Sequence, residues 1–216
     1  LLYSYHINIY TKKNKMESQN KYIGDESFKK FLGHYGCPTP LPVVKMKFAG
    51  AVCSPNLDLR PADVISSFWP AGQAPRLETK NEADLFFKFF MGLWDEVFQK
   101  VRENKIKLEP VKLSGREQIR EACAARFAEV EGGYVEGFWG GREDFKLPAF
   151  IAQMIDSLTE LSGVYNTLAK KLDKAENLEE ISNTFRYTDK MVEKAVSFII
   201  ENSVLPRIDS LQRVVH

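Results

Sequence analysis

Three glycines recur every four residues, at Gly133, Gly137 and Gly141, inside the stretch "EVEGGYVEGFWGGRED", which otherwise keeps a helical spacing of apolar side chains. On a helix, positions four apart stand above one another, so these residues form a strip of bare backbone along one side. Each glycine in a helix interior costs about 1 kcal/mol relative to alanine, so close packing must offset that cost if the segment is to stay helical. Either a neighbouring helix crosses the groove at short distance, or an outside segment or ligand docks in it. A further reading takes Gly140 and Gly141 as a left-handed helix end, leaving Gly133 and Gly137 inside the helix.

The flanking chain reads as more helices. "ESFKKFL" puts Phe28, Phe31 and Leu32 on one face and ends at Gly33 and Gly36. Pro40 and Pro42 suit a helix start and Pro55 a stop, bracketing a helix whose apolar residues include Phe48 and whose Lys45 and Lys47 are expected on the opposite, polar side. Pro61 opens a short helix whose buried face runs to Phe68 and Trp69. Thr79 and Glu82 have capping-box spacing and start a helix with an apolar stripe from Leu85 to Val101. Ser114 and Glu117 repeat that spacing and open a second long helix through about Gly140. A third starts near Pro148 with Phe150, Ile151, Met154, Leu158, Leu161 and Tyr165 on its apolar side; residues 177–203 add one or two more, interrupted near "TFRYTD" and limited by Pro206. No alternating strand pattern and no fixed-period repeat is evident, so the expected fold is an all-α, multihelical bundle of about six to eight helices.

Composition narrows the function classes. A chain of 216 residues, 44% hydrophobic and 27% charged, suits one folded domain, expected here over residues 16–216. Residues 1–15 read as an appended or upstream extension, expected to be disordered, with a mitochondrial presequence as the lesser alternative. Thirty basic against 29 acidic residues leave a net charge of +1, which offers no field to recruit nucleic acid. No apolar run is long enough for an integral membrane segment. The three cysteines, Cys37, Cys53 and Cys123, are odd in number and widely spaced, which argues against a disulfide framework or zinc site and for a cytoplasmic location.

Residues 43–70, "VVKMKFAGAVCSPNLDLRPADVISSFWP", resemble the "DGFLTAIAIGPELVPPSEWLP" type of segment in the bacterial YecA/YgfB-like family of uncharacterised proteins. Lys47-Phe48-Ala49-Gly50 stands at that family's Gly-Phe-Leu turn, Ser54-Pro55 at its Gly-Pro, and Phe68-Trp69-Pro70 at its Trp-Leu-Pro. "WDEV" at 94–97 and "FAEVEGGYVEGF" at 127–138 are similar to its long middle helix and its "WCQGFLYGL" segment, so the resemblance covers about residues 26–145, with 146–216 as a C-terminal helical extension. The family's Asp-Gly is Met46-Lys47 here, and its C-terminal cysteine-rich zinc motif has no counterpart after Cys123. The resemblance implies an all-helical fold and no established catalytic residues.

Reactive constellations are sparse. His34 and Cys37 form the nearest thing to a base and nucleophile pair, with no third group to orient them. Neighbouring carboxylates such as Glu129 and Glu131 point apart on a helix, no E-x-x-H is present, and the glycine-rich stretch lacks the lysine and the preceding strand of a phosphate cradle. We therefore nominate no catalytic residue, metal ligand or cofactor, and expect Glu129, Glu136 and Asp144 on solvated faces. Trp69 and Trp139 each adjoin a helix breaker, where an aromatic ring can anchor a partner, and Arg142 stands close to Trp139 in sequence. The expected role is a noncatalytic protein that binds another protein through Trp69, Gly133, Gly137, Trp139 and Arg142. The alternative is an enzyme or small-ligand binder with an aromatic pocket near Phe48, Trp94 and Tyr134.

Overall fold

The computed structural model describes residues 21–208 except Leu57 and Glu143; the expected extension at 1–15, with His6 and His216, lies outside the described residues. Among the described residues the secondary structure is helical with no strand, in seven helices when continuous runs are counted once. They are α1 (Asp25–His34), α2 (Leu41–Cys53), α3 (Pro61–Ser66), α4 (Lys80–Arg102), α5 (Arg116–Phe127), α6 (Glu136–Trp139), α7 (Ala149–Lys171) and α8 (Leu178–Ile199). Helices α5 and α6 are joined without a break by a π-helical stretch, Ala128–Val135, and a second one, Ile200–Val204, continues α8.

Local chemistry sets most of the ends. The Thr79 hydroxyl accepts from Glu82 N–H at 3.1 Å at the start of α4, Pro148 caps α7, and Asn177 caps α8 by accepting from Glu179 N–H at 2.9 Å. At Gly36 the backbone turns left-handed (φ 57°), letting Cys37 N–H close α1 on Leu32 O at 2.9 Å. The expected pairing of Ser114 with Glu117 does not form. Gln118 takes that role, accepting from Ser114 N–H at 3.2 Å and its hydroxyl at 2.5 Å, and α5 begins after Gly115. The break expected near "TFRYTD" is absent: α8 runs straight through, burying Thr188 and exposing Tyr187. Helical structure also continues past Pro206 to residue 208, after the π-helical turn.

Helix α2 is the centre of the molecule. It packs on α1, α3, α4, both π-helical stretches and α6, and buries residues around most of its circumference. Its lysines are not on a free polar side, as expected from spacing. Lys45 and Lys47 are largely covered and run to carboxylates at the rim, Lys45 to Asp25 (2.5 Å) and Glu109 (2.7 Å), Lys47 to Glu136 (2.9 Å). Arg207 closes its C-terminal end by donating to the carbonyls of Ser54 (2.9 Å) and Val52 (3.3 Å).

The glycine strip is filled by α2. A Cβ on Gly133 would stand 2.9 Å from Met46 Cβ, and one on Gly137 would run into the Lys47 backbone, with Lys47 Cα at 3.0 Å. The crossing is reciprocal, because Gly50 of α2 faces Tyr134 O and the amide nitrogen of Phe138, 2.7 Å from where its own Cβ would be. Gly133 and Gly137 are therefore buried in an internal helix crossing, the first of the two readings of the strip, which takes Gly133 off any partner surface and leaves Gly137 only at the border of the cleft described below.

Helices α7 and α8 pair and pack on α5 and the first π-helical stretch, joining one buried apolar cluster that extends from Phe28 to Val204. A charged assembly sits at that junction. Arg126, 1% exposed, donates to both oxygens of Glu129 (2.9 and 2.7 Å), to Asp189 on α8 (3.1 and 3.2 Å) and to Glu109 O. Tyr165 of α7 donates to Asp189 at 2.7 Å. Glu129 is thus buried and ion-paired, not on a solvated face, because the arginine beside it satisfies its charge. Burial pushes the carboxyls of Glu129 and Asp189 above their ordinary range despite Arg126.

Candidate binding cleft

The long helix ending at Trp139 stops because Gly140 (φ 56°) and Gly141 (φ 78°) turn the chain left-handed, the alternative that the sequence offered for this pair. Gly140 N–H closes on Glu136 O at 2.9 Å, and Arg142 N–H on Trp139 O at 3.1 Å. This reversal leaves a concavity of about 790 Å³. Its floor is Lys47, Val135 and Gly137; α3 contributes Asp63 and Val64 with Ser67 beyond its end, and α7 contributes Asp156 and Thr159. Glu131, Glu136, Trp139, Gly140, Gly141 and Arg142 complete the wall beside Leu59. Trp139 is half-buried there, edge-on to Phe138 with ring centroids 5.5 Å apart.

The charges around the cleft are mostly paired. Lys47 meets Glu136 at 2.9 Å. Arg60 meets Asp63 at 2.8 Å and holds that carboxyl below its ordinary range. Arg142 meets Asp144 at 3.0 Å, lowering Asp144 likewise, and its guanidinium lies over the Phe145 ring at 5.0 Å. Arg142 and Trp139 both line this cleft, but the Arg142 guanidinium is engaged by Asp144 and Phe145. Glu131 accepts from the Ser162 hydroxyl at 2.9 Å, and among the described residues neither Glu131 nor Asp156 has a cationic partner.

Other sequence-derived candidates fall in the interior. Trp69 is 6% exposed, donates its indole N–H to Tyr35 O at 3.1 Å and packs on Phe86 and Phe90, so it is a core residue and not a surface anchor. Phe48, Trp94 and Tyr134 are all buried, with Phe48 edge-on to Trp94 at 5.1 Å: the space read as an aromatic pocket is packed with these rings and their neighbours. The Tyr134 hydroxyl is buried beside Cys53 without hydrogen-bond geometry, and burial pushes it well above its ordinary value. Burial also raises the thiols of Cys53 and Cys123, each to about 11, and that of Cys37, whose partners are the carbonyls of Thr39 and Phe68 at 3.8 Å. Raised thiols of this kind are poor nucleophiles. Among the described residues no group of three or more His, Cys, Asp or Glu is placed to hold a metal ion, and no helix is long and apolar enough to cross a membrane.

Glu131, Asp156 and Lys47 are cleft residues that sequence reasoning missed. Asp156 and Thr159 carried a signal, polar positions three apart on one helix, but nothing local told which polar face would line a concavity. The fold and cleft together define an all-helical protein with one half-buried tryptophan on a concave surface of mixed polar and apolar lining. No protein-family model, curated protein or solved structure matches the chain.

Proposed function

We propose that this is a noncatalytic binding protein, an adaptor or regulator, that docks a second protein in the cleft between α3, the end of α6 and α7. The observation carrying this reading is the half-buried Trp139 ring in a concavity of about 790 Å³, an arrangement suited to anchoring a partner side chain. The buried ionisable groups of the charged junction, Glu129, Asp189 and Tyr165, are engaged with Arg126 or each other and do not line the cleft, which favours binding over catalysis there. The resemblance to the YecA/YgfB-like family belongs to the same proposal, supported by the succession of helices across residues 26–145. Three free thiols favour a reducing, cytoplasmic compartment.

A photo-crosslinking residue introduced at Thr159, inside the cleft, tests the reading against the same residue at Tyr187, exposed outside it. A discrete crosslinked partner from Thr159, lost in Trp139→Ala, is the expected result. Crosslinks from Tyr187 alone, or a Thr159 product indifferent to Trp139→Ala, would overturn it.

A further inference from the structure

Given that the cleft is the docking site, its electrostatics specify the occupant. We propose that it takes a basic linear segment of the partner, whose lysine or arginine side chains meet the Trp139 indole and the carboxylates of Glu131 and Asp156.

Three independent features point to a cation. The first is the balance of charge. Both cations in the lining are already matched, Lys47 by Glu136 and Arg142 by Asp144, and Asp63 is matched by Arg60. Glu131 and Asp156 remain, so the concavity is locally negative although the chain as a whole is +1. The second is the helix end. The run from Arg116 to Trp139 terminates in the wall at Gly140, and a helix C-terminus carries partial negative charge that favours cations within its last turn. The third is the indole itself, whose face attracts ammonium and guanidinium groups more strongly as they lose water in a concave site.

An acidic segment would meet two unmatched carboxylates and the negative helix end, and an apolar one would strand them without solvent. A basic segment satisfies all three features at once. Salt should weaken such binding, since the carboxylates lie near the surface.

The test is selection on the intact protein from a randomised linear peptide library, followed by fluorescence anisotropy titration of the selected peptides. Lysine- or arginine-rich sequences should be selected, and their Kd should rise about tenfold in the double variant Glu131→Gln plus Asp156→Asn. The glutamine keeps an acceptor for Ser162, and an unchanged Tm would show the fold intact. Basic peptides that bind the double variant equally well would overturn the proposal. So would neutral or acidic peptides whose binding is lost in Trp139→Ala, an outcome that leaves the cleft as the docking site and removes only the basic occupant. If no selected peptide responds to Trp139→Ala, both the occupant and the docking reading fall.

Discussion

The Tyr165 hydroxyl donates a hydrogen bond to Asp189 at 2.7 Å, tying α7 to α8 where Arg126 of α5 also reaches that carboxylate. Both Tyr165 and Arg126 are almost completely buried. Tyr165→Phe removes one donor to a desolvated charge and should destabilise the protein by about 2 kcal/mol, read by urea denaturation with an unchanged m-value.

Removing the cation should cost more. Arg126→Met strands Glu129 and Asp189 in the interior and should lose about 3 to 5 kcal/mol, whereas replacing all three charged side chains by apolar ones of similar volume should recover much of the loss. A single variant as stable as the parent would show that water reaches the two carboxylates.

The same assembly sets a pH dependence. Glu129 and Asp189 have folded pKa values above their unfolded ones, chiefly through burial, with Asp189 and then Glu109 adding to the rise at Glu129 and Glu193 to that at Asp189. Between the unfolded and folded values the native state binds more protons than the unfolded state, so this contribution is fully present below the unfolded pKa and is lost as pH rises through the folded one. Wild type should therefore gain stability relative to Glu129→Gln plus Asp189→Asn as pH falls from neutrality towards the unfolded carboxyl values of about 4. Paired denaturation curves at the two ends of that range measure it; a difference moving the other way would show that the attraction of Arg126 outweighs burial.

Two glycines should respond with opposite signs. Gly163 in α7 has open space where a Cβ would go, so Gly163→Ala should stabilise by up to about 1 kcal/mol through helix propensity. At Gly137 the added methyl meets the Lys47 backbone, so Gly137→Ala should lose about 1 to 3 kcal/mol net, and Gly137→Leu more. Thermal melts of the two alanine variants beside wild type test the pair.

Helix positions were legible because their signals are local: Pro42, Thr79 and Pro148 act within a turn of the ends they define. The glycine strip announced a close approach but not its occupant, since Gly50 supplies the matching bare backbone from a distant helix. Arg126 and Glu129, three apart, look like a solvated ion pair; only the arrival of α7 and α8 with Tyr165 and Asp189 buries them. Trp69 carries two readings in the sequence, the buried face after Pro61 and a partner anchor; the first holds, because its indole is covered by Tyr35 and α4, elements that its neighbours in sequence do not reveal. Of the cleft, Trp139, Gly137 and Arg142 were legible, and the carboxylates were not.

Helix α2 leaves the ribosome well before the segment carrying Gly133 and Gly137; α1, α3 and α4 can cover part of it as they emerge, but the side presented by Gly50 stays bare until that segment arrives. The nascent chain thus carries a bare apolar side of its central helix until that segment is made, the kind of transient exposure that invites aggregation during synthesis.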